Sequence, residues 1–406
     1  MKASSPTSTT HRGVPARRAL AAAVTAALVT ATFAAASAQA GSREQAMRMH
    51  DRLNGAPPTQ AVLNAMQADI DGGNPTGAAL LAMSDPNGLF YSVVLKNFVT
   101  PWTNRAQTAF APLNDYTATV IGMVRDDVPF NTVLSADIIY IGASNLGLPA
   151  YSTTGNDHYA QMETQGVNLM TGLQASTQSS VTGLPSAATA GVLTTRAAAA
   201  AFFNLGTNRA MFRFTMINHM CADLPTVMDT TRPTDRIRQD VSRSPGGNSQ
   251  TFFNSCVGCH SGMDPMAQAF AFYDFVYASD PTVGAISYTP GQVVGKYFHN
   301  NTTFAPGFVT PNDAWSNRWR AGPNSLMGWS PTLPGSGNGA KSLGQEIAAS
   351  SQFAQCQVTK VFQQVCLRAP STAADFAKVS SIQASFMQGY SLKTVFAQTA
   401  VYCMGN

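Results

Sequence analysis

The run Cys256-Val-Gly-Cys259-His260 constrains this chain more than any other feature of it. Two cysteines three positions apart with a histidine directly after match the C-x-x-C-H pattern of covalent porphyrin attachment. Thiols at that spacing form thioethers to the two vinyl groups of one porphyrin. The helical turn between them sets the next imidazole beneath the iron. The motif therefore predicts one covalent haem c, with Cys256 and Cys259 as attachment points and His260 as an iron ligand. Chance assembly of the pattern from this composition is about one in a thousand. A structural zinc site asks for four ligands in two close pairs, and no second C-x-x-C or H-x-x-x-H occurs. A thioredoxin-like dithiol expects a βαβ context that the flanking segments do not offer. A plain Cys256–Cys259 disulfide is the remaining alternative.

The compartment implied by the N-terminus agrees with such chemistry. Residues 1–40 read as a signal peptide: a cationic start, the apolar run "ALAAAVTAALVTATFAAA" and a small-residue end "ASAQA". The apolar run is short for a membrane anchor. Arg17 and Arg18 raise a twin-arginine route, but their flanks suit general export better. We expect an exported protein, in the periplasm or carried on to the cell surface or outside. Of 25 basic and 21 acidic residues, four basic ones lie in this leader, so the mature part carries 21 of each. A chain with no net charge has no field to gather nucleic acid. No later stretch is apolar for long enough to be an integral membrane segment.

Hydrophobic periodicity predicts a mainly α fold. "REQAMRMHDRLNG" places Ala46, Met49 and Leu53 on one helical face, with Gly55 as a stop. "PPTQAVLNAMQADIDGG" starts a helix at Thr59, aligns Val62, Met66 and Ile70, and ends it at Gly72–Gly73. Phe90, Val94 and Phe98 share a face, and "DHYAQMETQGVNLMTGLQ" and "TTRAAAAAFFNLG" read as helical. "SADIIYIG" fits a short strand or a helix. Near residue 230 the chain turns charged and turn-rich, which divides it into a helical N-terminal domain, 41–230, and a helical c-type cytochrome-like domain with long loops, 231–406. At its end, Ser342 with Gln345 suggests a capping box, and Val358, Val361, Phe362 and Val365 form an apolar stripe.

The stretch "CVGCHSGMDPMAQAFAFYDF" resembles planctomycete-type cytochrome domains, in which the haem motif runs into Met-Asp-Pro and then an aromatic segment. "AGVLTTRAAAAAFFNLGTNRAMFRFTMINHMCADLP" resembles the segment that precedes the motif in that family. "LGQEIAASSQFAQCQVTKVFQQVCLRAPS" and the chain beyond it resemble the family's C-terminal helical module. The resemblance covers roughly residues 190–406 and implies an exported haem protein, with little said about reaction type.

Several residues are candidates for the surroundings of the iron. Met263, three positions after His260, shares its helical face and so cannot reach the opposite side of a porphyrin. A sixth ligand would come from Met327, His299, His219 or Met220, or the position stays open. Asp264–Pro265 is expected to end the motif helix. Phe270, Phe272, Tyr273, Phe275 and Tyr277 would line the haem, and one of Arg232, Arg236, Arg238 and Arg243 would pair with its propionates.

Cys221, Cys356, Cys366 and Cys403 remain, and an even number in an exported chain implies two disulfides. If Cys356 and Cys366 share a helix, their separation of ten positions spans about 15 Å. A disulfide needs Cα atoms within about 7 Å, so these two cannot pair. Helices near 373–387 and 391–402 would bring Cys403 back beside Cys366, which leaves Cys221 for Cys356.

No H-E-x-x-H, G-x-S-x-G, P-loop or G-x-G-x-x-G occurs, and "DIDGGN" at Asp69 lacks the terminal Glu of a calcium loop. Three roles stay open: an electron carrier with an exported redox partner protein, a peroxidase- or oxygenase-like haem enzyme with an open iron position, or a structural or surface haem protein.

Overall fold

The computed structural model describes residues 40–204, 207–238, 250, 252–298 and 307–405. The expected leader lies outside them except for Ala40, as do His299 and Arg243. The described chain is mainly helical, with three separate two-stranded antiparallel sheets. No helix among the described residues is long and apolar enough to cross a membrane.

Three helices open the described residues, Ser42–Asn54, Gln60–Asp71 and Pro75–Met83, and pack on one another. The first buries Ala46, Met49 and Leu53 and stops at Gly55, whose φ of 67° is the left-handed cap that favours glycine. The second is capped by Thr59, whose hydroxyl accepts from the Val62 amide; it buries Leu63 and Met66, while Val62 and Ile70 are only partly covered. The last described helix, Leu392–Cys403, lies against the first and third of these, so the two ends of the described chain share one core. Arg48 donates to the Met404 carbonyl and Arg52 to the Val365 carbonyl, closing the helix ends there.

The buried core runs without interruption across residue 230, from Ala46 to Met404. At its centre is Asp115–Arg125, buried along all but its last residue. The face of Phe90, Val94 and Phe98 is buried as expected. The ambiguous segment is a strand, Ile139–Gly142, paired with Leu173–Ser176 so that Ile139 faces Ser176. The stretch expected to be helical from Asp157 therefore breaks: its helix ends at Thr164, Gly166 takes a left-handed φ of 62°, and its end joins that sheet. The other hairpins pair Tyr273–Tyr277 with Gly284–Tyr288 and Ala314–Ser316 with Ser336–Asn338.

The C-terminal module is Gly339–Ala348, Ser351–Cys366, Ala373–Gly389 and Leu392–Cys403. Val358, Val361, Phe362 and Val365 are all fully buried. The capping box falls elsewhere than expected. Ser342 sits inside the first turn of its helix and bonds back to the Asn338 carbonyl, whereas Thr372 and Asp375 form the reciprocal pair. Cys356 and Cys366 do share a helix, and the structure pairs Cys221 with Cys356 and Cys366 with Cys403, at Cα separations of 5.3 and 5.4 Å.

Candidate functional site

Cys259 and His260 lie on the helix Val257–Ala267, with Cys256 at its N-cap after a wide turn, Phe252–Cys256. The helix is braced from behind. The Gly258 carbonyl accepts from the Asp229 amide, and the Ser261 hydroxyl donates to the Asp229 carbonyl. Gly262 lies against Trp319, so close that a Cβ there would fall 2.0 Å from the indole nitrogen. Gly258 and Gly262 are each two residues from His260, which puts the imidazole on the opposite face from that packing.

Pro265 does not end the helix, contrary to the usual preference before and at proline. The helix runs through it to Ala267 and passes into a tighter turn, Gln268–Phe270. Tertiary bonds override the local preference. The Asp264 carboxylate, wholly buried, takes two bonds from Arg209, at 2.7 and 3.0 Å, and one at 3.2 Å from the Arg238 amide. Asn208 donates to the Ala267 carbonyl at 2.7 Å, closing the helix end.

Asp264 also faces the motif directly: its Oδ1 lies 3.0 Å from His260 Nδ1. Burial alone would push the carboxyl up, but Arg209 and His260 outweigh it and hold Asp264 well below the usual carboxylate range. The ionised Asp264 thus fixes Nδ1 as the donor of the imidazole and leaves Nε2 as the lone-pair nitrogen. The spacing of His260 and Asp264, one helical turn, was the available sequence signal for this contact; Arg209 carried none.

Cys256 and Cys259 are both free thiols and both part-buried. Cys259 approaches the Leu224 carbonyl at 3.5 Å. Burial pushes its thiol up, with Cys256 and Asp223 adding to the effect, so it stays protonated rather than acting as a ready thiolate. Cys256 packs on a small apolar cluster of Ile237, Phe252 and Val257, apart from the main core. Ile237, Phe252, Phe253 and Phe308 line a cavity of about 220 Å³ there, and the Phe252 ring lies 6.4 Å from the His260 ring. Unjoined thiols at this spacing and an imidazole oriented through Nδ1 fit the donor set for thioether attachment of a porphyrin, beside a cavity whose aromatic wall also carries Thr234 and Asp235. Among the described residues no group of three or more His, Cys, Asp or Glu gathers around a common point.

The other expected neighbours lie elsewhere. Phe270, Tyr273 and Phe275 fill the main core, Phe272 packs with Val293 and Tyr297, and Tyr277 lies part-buried on the core's edge. None of them joins the apolar cluster at Cys256; the strand Tyr273–Tyr277 packs Tyr273 and Phe275 into the main core. His219 is fully buried, 2.7 Å from the Tyr116 hydroxyl, and burial holds it well below its ordinary pKa. Met220 is buried with its sulfur 3.3 Å from the Ser350 hydroxyl. Met327 sits in the main core on the turn Pro323–Met327, which packs against Arg318–Arg320. Of the arginines, Arg232 pairs with Asp229, and Arg238 is buried with Asn208. Arg236 donates to Gln268 and to the Ala314 carbonyl at 3.0 Å and lies over the Phe308 ring that lines the cavity. It has no carboxylate partner among the described residues.

Comparison with family models, curated proteins and solved structures gave no match.

Proposed function

We propose that this chain is an exported c-type cytochrome that carries one haem c on Cys256 and Cys259, with His260 Nε2 on the iron, and exchanges electrons with an exported partner protein. The observation that carries this reading is the pair of unjoined thiols, one directly before and one a turn before an imidazole whose Nδ1 is already engaged by Asp264. When bound, the haem supplies a one-electron iron couple. The chain's own residues set the conditions for it. Asp264 orients His260 and raises its basicity as a ligand, which favours the oxidised metal. Arg209, bonded to the same carboxylate, tempers that donation. Ile237, Phe252 and Val257 keep water from the Cys256 side. Arg236 is the guanidinium we assign to a propionate. The resemblance to planctomycete-type cytochrome domains and the leader at residues 1–40 support export, to the periplasm in the first place.

A second reading, a haem enzyme with an open sixth iron position, is favoured by one observation: His219 is bonded to Tyr116, Met220 lies against Ser350, and Met327 is buried in the main core. Optical spectra of the purified haem protein with and without carbon monoxide separate the two. Rapid gas binding assigns the open-site enzyme; an unchanged ferrous spectrum assigns the carrier.

A further inference from the structure

We propose that a cleft beside Lys360 is a binding site for a small organic carboxylate. A cavity of about 410 Å³ opens there, lined among others by Phe98, Trp102, Gln107, Ile217, Lys360 and Gln363. It is built by the turn Thr100–Thr103, the turn Met216–Met220 and the helix Ser351–Cys366, and involves no residue of the motif helix.

The lysine is set up as a cation without its anion. Its ammonium has three N–H directions. One meets the Asn218 carbonyl, and the nitrogen lies 4.3 Å from the centre of the Trp102 ring, a cation–π distance. Lys360 also lines the cavity. No Asp or Glu lines that cavity, and no carboxylate pairs with Lys360 among the described residues. Burial lowers its pKa to about 7, so an anion arriving in the cleft restores what desolvation removes.

The frame around it is fixed in advance. Asn218 is buried, donates to the Trp102 carbonyl at 2.9 Å and accepts from Gln107 at 3.5 Å. Gln107 holds a left-handed φ of 51°, uncommon for a residue other than glycine, where it borders the cleft. The Gln363 amide has no partner among the described residues and offers a second donor. Phe98, Pro101 and Ile217 give the apolar wall for a short hydrocarbon body. A single ammonium supplies one positive charge, which balances a monoanionic carboxylate and leaves a phosphate dianion half compensated. The titratable groups that face Lys360 from these elements are His219 and, behind it, Tyr116. Burial holds the first well below and the second well above its ordinary pKa, so both are neutral.

Calorimetric titration of the mature protein with benzoate, benzamide and inorganic phosphate tests this. We expect saturable benzoate binding at pH 6, at least about tenfold tighter than benzamide or phosphate, and about tenfold weaker again at pH 8.5, where the amine loses its charge. Lys360→Arg should keep the preference for benzoate over benzamide, and Lys360→Met should abolish it. Equal affinity for benzoate and benzamide in the unmodified protein, binding unchanged between the two pH values, or no heat at millimolar benzoate would each overturn the proposal.

Discussion

His260 Nδ1 lies 3.0 Å from Asp264 Oδ1, one turn further along the same helix, and that carboxylate is held in turn by both donors of the Arg209 fork. The imidazole is therefore coupled to a buried negative charge, and the charge to a positive one that limits it. A ligand histidine in this position is more electron-rich than one bonded to a neutral carbonyl.

Removing the charge while keeping the shape should make the iron easier to reduce. Asp264→Asn is expected to raise the midpoint potential by about 60 mV or more, a tenfold change in a one-electron equilibrium. Arg209→Gln should move it the other way. Potentiometric titration of the haem proteins measures both. A merely structural role for Asp264 would shift stability and leave the potential where it was.

The same carboxylate links stability to pH. Its pKa is depressed in the folded protein, so its contribution is complete above the ordinary aspartate value of about 3.9 and is lost as pH falls below that. The urea midpoint of the unmodified protein should therefore fall between pH 5 and pH 2 more steeply than that of Asp264→Asn. Parallel curves would show that Asp264 is not ionised against Arg209 and His260.

Gly262 sets how closely the motif helix approaches Trp319. Gly262→Ala places a Cβ 2.0 Å from the indole nitrogen and is expected to cost about 1–3 kcal/mol in chemical denaturation. At Gly258 the nearest atom to a new Cβ is 3.3 Å away, and the helix gain offsets that tight contact. Gly258→Ala should accordingly be close to neutral.

The two disulfides close loops of different size, with sequence separations of 135 and 37 residues. Loop-closure entropy gives about 5 kcal/mol for the first and about 4 kcal/mol for the second. Paired serine substitutions, Cys221 with Cys356 and Cys366 with Cys403, should lower the thermal midpoint in that order. Non-reducing peptide mapping should recover these two pairs; Cys356 joined to Cys403 would contradict the structure.

Much of this arrangement was legible in the residues themselves. The helix register of Cys356 and Cys366 excludes their pairing and leads to the two bridges observed, because a rigid helix converts sequence separation into distance. Gly55 and Thr59 marked their helix ends for the same local reason. Local rules failed where distant partners decide. Pro265 reads as a stop, yet Arg209, Arg238 and Trp319 hold the helix through it. Ser342 has the letters of a cap, but the helix begins three residues earlier. The aromatics after the motif signal burial without saying in which core, and the Lys360 cleft joins residues more than 250 positions apart that share no motif.

The most direct test of the central claim is the intact mass of the mature protein after acid–acetone extraction, made in a host with working haem-attachment machinery. The account predicts a coloured polypeptide heavier by the mass of one haem, with the label on the peptide holding Cys256 and Cys259. A colourless chain at its bare mass, or one with Cys256 and Cys259 joined to each other, would contradict it.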